Sequence, residues 1–381
     1  MRAVRTLFSG FDIYLVGSAL VLALFGLVTM YTYQGDNFFF SRQLVWIGVA
    51  VVGMLLALIP DYRVLRLGNA GFYLYLISLV LLLLLFVFGD VTLGAQRRFD
   101  LGFLAFQPSD PAKLIIIILL AKYFSKRHTV IGDFRHILVS GLYVLVPFIL
   151  IFLQPDFGTA AILFFLWFGM VLVAGIKFRH VATVFVVGVS VFALLWQFAF
   201  AEYQQQRILT FLNPVEDIQG AGWNAYQSQV AVGSGQIFGK GIGYGTQSKL
   251  LFLPEYQTDF IFAAFAEEWG FSGVLLLFLV FGVLVWRLLY LATKVQTNFE
   301  SLFIVGVAIL FVSHFFVHIG MNIGVLPVTG LTMPFMSYGG SHLLTGFVAL
   351  GMVMAMRYTG VTKRSIIEGD SVVIFSRSTK Q

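Results

Sequence analysis

Asp259 stands behind Pro254-Glu255-Tyr256-Gln257-Thr258 and ahead of the apolar run Phe260–Ala266. A carboxylate where polar sequence meets apolar sequence either caps a helix or acts as a binding or catalytic acid. Nearby sequence favours the second role. A glycine string runs from Gly233 to Gly245, Lys240 and Lys249 lie upstream, and Glu267 and Glu268 follow within the apolar segment. Asp156, in Gln154-Pro155-Asp156-Phe157-Gly158-Thr159, opens another apolar run with the same two readings. If both carboxylates face one aqueous side, they can share a divalent cation carrying a pyrophosphate, because hard cations take oxygen ligands.

A second group, Arg97, Arg98, Asp110 and Lys113, lies in GAQRRFDLGFLAFQPSDPAKL. Asp110 and Lys113 have the i,i+3 spacing of a structural ion pair, which leaves Arg97 and Arg98 to hold an anion. The glycine string fits neither dinucleotide nor P-loop spacing, so it reads as a flexible turn. His314 and His318 share a helix face at i,i+4. Without a third ligand nearby they read as packed or hydrogen-bonded rather than metal-binding. No Gly-x-Ser-x-Gly elbow and no His-Glu-x-x-His motif occurs.

The elements that must position these residues are membrane helices. Of 381 residues, 59% are hydrophobic and 11% charged, with 42 Phe and a mean hydropathy of +0.91. That composition cannot cover a soluble globule and predicts an all-α polytopic membrane protein. Apolar runs near 13–33, 44–59, 70–89, 111–124, 136–153, 157–176, 181–200, 259–287, 301–323 and 342–356 predict about ten transmembrane helices. The first is too long for a signal peptide and reads as an uncleaved span. Residues 1–356 form one membrane domain, and 357–381 a cytoplasmic tail. A continuous helix from Asp259 to Arg287 would rise about 42 Å, close to a bilayer with its headgroups. Glu267 and Glu268 would then lie roughly 12 Å inside, facing protein or water.

With the N-terminus cytoplasmic, 17 of the 24 Lys and Arg fall inside; the seven at 42, 97, 98, 113, 207, 240 and 249 fall outside. This bias predicts both termini inside. The net charge of +6 and pI near 9.4 therefore report topology, and a nucleic-acid partner is rejected. Two outer connections are long, 90–110 and 201–258. The second, between helices seven and eight, is expected to hold short interfacial helices beside Asp259.

Taken together, GKGIGYGTQSKLLFLPEYQTDFIFAAFAEEWGF, QPDFGTA, NPVEDIQGAGWNAYQSQVAVGSG, QPSDPAKL and MNIGVLPVTGLTMPFMSYGGS resemble the shape, elongation, division and sporulation (SEDS) family of bacterial cell-wall polymerases. The GTQS and LPVTG variants are closer to its elongation branch than to its division branch. The resemblance implies a glycosyltransferase that polymerises lipid II, an undecaprenyl-pyrophosphate-linked disaccharide peptide, at the outer face of the cytoplasmic membrane. It also implies a class B penicillin-binding protein as transpeptidase partner, alongside other elongation-machinery proteins. Asp259 matches the family's essential acid and is assigned as general base. Arg97, Arg98, Asp110, Lys113, Lys240, Thr258, Gln227 and Ser337 form the implied substrate-binding set. Asp156 is the candidate ligand of a Mg²⁺ or Mn²⁺; no organic cofactor is implied. Asp110 stands where the family has Glu, Gln257 where it commonly has His, and Arg98 where an aromatic usually follows the first arginine.

A lone base with no covalent step predicts inversion at the anomeric carbon. The competing class is a lipid II flippase. An alternating-access carrier needs ionisable groups near mid-membrane, whereas here most cluster at the outer interface, with Glu267 and Glu268 the exception.

Overall fold

The computed structural model describes residues 11–31, 37–92, 95–100, 102, 105–127, 134–175, 178–198, 205, 209, 211, 222–250 and 252–357. Arg2, Arg5, Arg207, the tail beyond Arg357 and most of 199–221 lie outside them.

Each predicted apolar run folds as a long helix. In chain order these are α1 (Ile13–Met30), α2 (Phe38–Leu56), α4 (Ala70–Phe88), α5 (Ser109–Ser125), α6 (Phe134–Leu153), α7 (Phe157–Ala174), α8 (Phe178–Phe198), α11 (Ile261–Ala292), α12 (Asn298–Asn322) and α13 (340–357). Short α3 (Arg63–Leu67), α9 (Trp223–Ser234) and α10 (Thr246–Lys249) connect them. Among the described residues, seven of the long helices are each long and apolar enough to cross a membrane. The protein is a polytopic, all-α membrane protein.

Burial follows the apolar pattern. The middle of helix α5, Leu114–Ala121, is apolar on every side, which calls for an enclosed position. The helix is buried almost throughout its 17 residues and packs against α4, α6, α7 and α12. Helices α2, α4, α6 and α8 instead turn large apolar side chains outward, among them Val45, Phe72, Leu142 and Phe185, as lipid-facing helices do. At one end of the bundle the buried Asp12 caps α1, accepts two hydrogen bonds from Arg287 Nε and Nη2 and one from Arg357, and so joins α1, α11 and α13.

The 90–110 connection contains an antiparallel sheet that hydropathy did not reveal. It comprises β1 (Asp90–Thr92), β2 (Ala95–Asp100) and β3 (Ala105–Phe106), with Asp90 opposite Arg98 and Phe99 opposite Phe106. Side chains alternate across a strand. Accordingly Arg98 is exposed, while its neighbour Arg97 is partly buried.

The expected unbroken helix from Asp259 to Arg287 is corrected in two respects. Helix α11 begins at Ile261, and it is broken at Gly270 (φ 65°, ψ −168°). The break is sealed by the glycine loop that precedes it. The Lys240 and Gly241 amides donate to the Glu267 and Glu268 carbonyls, and the Phe271 and Ser272 amides donate to the Gln236 and Ile237 carbonyls. The glycine string is thus a fixed backbone brace, because irregular backbone at membrane depth must find partners in protein. A methyl at Gly270 would collide with the Gly239 amide and lie 2.7 Å from Ile237 O. Gly270→Ala is expected to cost roughly 1–3 kcal/mol from the backbone conformation and a similar amount from overpacking. The check is the unfolding midpoint in detergent, which should fall well below that of Gly282→Ala, where nothing lies within 4 Å.

Candidate active site

Asp259 is half-buried at the end of the turn 252–260. The amides of Thr258, Asp259 and Phe260 all point to the carbonyl of Glu255, which adopts a left-handed conformation (φ 53°). Phe260 occupies the N-cap position of α11. Burial, with the Glu268 carboxylate nearby, raises the pKa of the Tyr256 hydroxyl above its ordinary value.

The 325–339 segment clamps this turn from the other side. Ser337 Oγ donates to Thr258 O at 2.8 Å and accepts from Met333 N at 2.8 Å. The Tyr338 amide donates to Gln257 O, and Gln43 Nε2 of α2 donates to Ser337 O at 3.1 Å. Ser337 and Thr258, assigned to substrate from sequence, therefore lie next to Asp259 and hold its backbone. Further along the segment, Gly330 (φ 68°) leaves open the space a side chain would fill. A Cβ there would sit 3.3 Å from Asp259 Oδ2 and 3.9 Å from Arg97 Nη1, so a carboxylate and a guanidinium flank one small gap.

Arg97 reaches this gap from β2. Its Nη2 donates to Pro155 O at 2.7 Å, and its buried Nε has no partner among the described residues. Pro155 belongs to the turn that carries Asp156, and Gly158 at the start of α7 lets Thr329 O approach to 2.7 Å of its would-be Cβ. Arg97, Asp259 and the Asp156 turn thus meet around 329–331. Asp156 itself is buried and caps α7, accepting from Thr159 N at 3.1 Å.

The remaining assigned residues make contacts of their own. Lys113 and Asp110 form a buried ion pair at 2.9 Å in the first turns of α5, as their spacing implies. Lys113 also donates to His314 Nε2 at 3.2 Å, and His342 lies 3.6 Å from Asp110. Lys240 is paired with Glu267 at 2.7 Å, and the same carboxylate receives Thr246 Oγ1 and the Gln247 amide. Lys249 is paired with Glu268 at 3.4 Å. The two deep glutamates therefore face protein, each beside a lysine. Gln227 is buried on α9, with its Oε1 unpartnered among the described residues. Arg98 points away to solvent.

His314, His318 and Asn322 follow one another at four-residue spacing along α12 and form a buried polar stripe. His314 Nδ1 donates to Thr332 O at 3.2 Å and His318 Nδ1 to Leu331 O at 2.7 Å. The histidines thereby hold the 331–332 backbone, the hydrogen-bonded role their spacing suggested. Sequence reading noted the two histidines and missed Asn322; extending the same spacing by one more step would have found it.

A divalent cation at Asp156 would find few protein donors. One Asp156 oxygen is committed to its cap, and no group of three or more His, Asp or Glu side chains suited to a metal occurs among the described residues. Arg97 brings a positive charge to the gap beside Asp259.

The chain matches the FtsW/RodA/SpoVE cell cycle protein family over residues 5–360. It is 37% identical over 284 residues to the peptidoglycan glycosyltransferase MrdB of Escherichia coli K12, covering 74% of this chain and 76% of that one. It is 36% identical over 353 residues to the stage V sporulation protein E of Bacillus subtilis, covering 90% and 96%. Among solved structures, a peptidoglycan synthase complex described as coordinating polymerization and crosslinking contains a chain that superposes with a TM-score of 0.78 at 32% identity, covering 91% of this chain and 97% of that one. The rod shape determining protein RodA of Thermus thermophilus gives 0.69 at 30% identity, covering 92% and 97%. With motifs, bundle and relatives in agreement, this chain belongs to the FtsW/RodA/SpoVE family, the SEDS polymerases.

Proposed function

We propose that this protein is a peptidoglycan glycosyltransferase that polymerises lipid II at the outer face of the cytoplasmic membrane, with Asp259 as general base. The observation that carries the proposal is the placement of Asp259 and Arg97 on either side of the gap at Gly330, at one end of a membrane bundle. Asp259 takes the proton of the acceptor sugar's 4-hydroxyl as that oxygen attacks the anomeric carbon of the donor. The bond to the pyrophosphate breaks, and its electron pair leaves on the pyrophosphate oxygen. Arg97 supplies charge-assisted hydrogen bonds to that departing anion. A single displacement inverts the anomeric centre, so an α-linked donor gives a β-linked glycan. Lys113 and Lys240, committed to Asp110 and Glu267, support the walls rather than the leaving group.

Both termini lie in the cytoplasm and Asp259 outside it, on the strength of the 17-to-7 distribution of cations. The partner is a class B penicillin-binding protein, within a larger elongation assembly. The chain has no cysteine, so single cysteines at Ser125 and Gln219 are expected to label from opposite sides with a membrane-impermeant reagent. Labelling from the same side would overturn the orientation.

Sidedness also tests the function. Proteoliposomes carrying labelled lipid II only in the leaflet facing Asp259 are expected to form polymer without moving the lipid across. Transfer across the bilayer without polymer would favour a flippase. The ion pairs of Glu267 and Glu268 oppose that reading, since the acids at depth are held by Lys240 of the bracing loop and Lys249 of α10.

A further inference from the structure

The start of α11 is built in an unusual way. In a helix each amide bonds the carbonyl four residues earlier. The Asp259 carbonyl and the Ala263 amide are therefore the pair that a helix beginning one residue earlier would join. Here the side chain of Asn322, wholly buried at the end of α12, stands between them. Its Nδ2 donates to Asp259 O at 3.0 Å, and its Oδ1 accepts from Ala263 N at 3.2 Å. The second Nδ2 proton goes to His318 O at 2.8 Å, which fixes the carboxamide on its own helix. Ser228 of α9 donates to Asn322 O at 2.9 Å, with a longer approach of 3.4 Å to Asn322 Oδ1, and locks the helix end from outside.

From this we infer that Asn322 is a positioning residue for Asp259. With the carboxamide in place, the helix cannot extend backward by one residue, and Phe260 rather than Asp259 takes the cap position. Aspartate is among the best N-cap residues. Without Asn322, joining the Asp259 carbonyl directly to the Ala263 amide would make Asp259 the cap, with its carboxylate drawn onto the first-turn amides and away from Arg97. The inference rests on Asp259 being the base.

The test is Asn322→Ala in the purified full-length protein, assayed on lipid II beside Asp259→Asn and Ser228→Ala. The helix can close its own hydrogen bond, so the unfolding midpoint of Asn322→Ala should stay within a few degrees of wild type. A displacement on the order of 1 Å costs up to about a hundredfold in rate. Hence kcat should fall about ten- to a hundredfold while KM changes less than about threefold. The acidic limb of kcat/KM, which reports the free enzyme's base, should move to lower pH, because a capping carboxylate is stabilised as the anion. Ser228→Ala removes only the hydroxyl's own contacts to Asn322 and leaves the carboxamide bonds to Asp259 O and Ala263 N in place, so it should keep kcat within about twofold. An Asn322→Ala enzyme with wild-type kcat and an unmoved acidic limb overturns the inference while leaving Asp259 as base. So does a loss of kcat matched equally by Ser228→Ala, which would mark general loosening. An active Asp259→Asn overturns the base assignment and the inference together.

Discussion

Replacing Asp259 with Asn is expected to lower lipid II polymerisation by at least about a hundredfold, since general-base transfer typically contributes about a hundred- to ten-thousandfold. Asn keeps the shape and the hydrogen-bonding capacity of a cap, so folding and partner binding should persist. Asp259→Ala should be equally inactive. Were Asp259 a cap, Ala would cost about 1 kcal/mol and Asn almost nothing. The two roles thus give opposite patterns across one pair of variants. Near-normal polymerisation by Asp259→Asn would send the search for the base to Asp156 or Glu255. Asp156 is the weaker alternative, because one of its oxygens already caps α7.

Breaking the buried pair of α5 is expected to destabilise the protein strongly. Asp110 and Lys113 have side chains 6% and 3% exposed, and among the described residues His342 is the ion-pair partner left to Asp110 if the lysine goes. Lys113→Met leaves a carboxylate without its main counter-charge, at a cost of roughly 3–5 kcal/mol. Asp110→Leu combined with Lys113→Met removes both charges together and should recover most of that loss, because an apolar pair of similar volume is often neutral or better. Detergent unfolding midpoints of the single and double variants check this. Equal destabilisation by both would mean that the polar cluster with His314 and His342, rather than the ion pair, holds this region.

The helices were legible in the sequence because lipid and protein both demand long apolar runs, and every predicted span has its helix. The i,i+3 spacing of Asp110 and Lys113 likewise announced a contact between neighbours on one helix. Arg97 was found as a misplaced cation, but the strand that aims it was not, since β1–β3 are too short and mixed to show a period. The break at Gly270 was hidden for a different reason. Its cause is the packing of residues 235–241 against α11, and a lone glycine in an apolar run has no local mark of that. Lys240 illustrates the same limit: it has the charge for a pyrophosphate, yet Glu267, 27 positions away, claims it. The gap between Asp259 and Arg97 joins three parts of the chain and could be seen only once folded.

The most direct measurement is the fate of labelled lipid II with the purified protein, its transpeptidase partner present or absent and crosslinking blocked. Catalysis by this chain predicts a ladder of uncrosslinked glycan that appears with the wild-type protein, is lost with Asp259→Asn, and has the inverted, β linkage. Polymer that persists with Asp259→Asn, or that follows the partner rather than this chain, would contradict it.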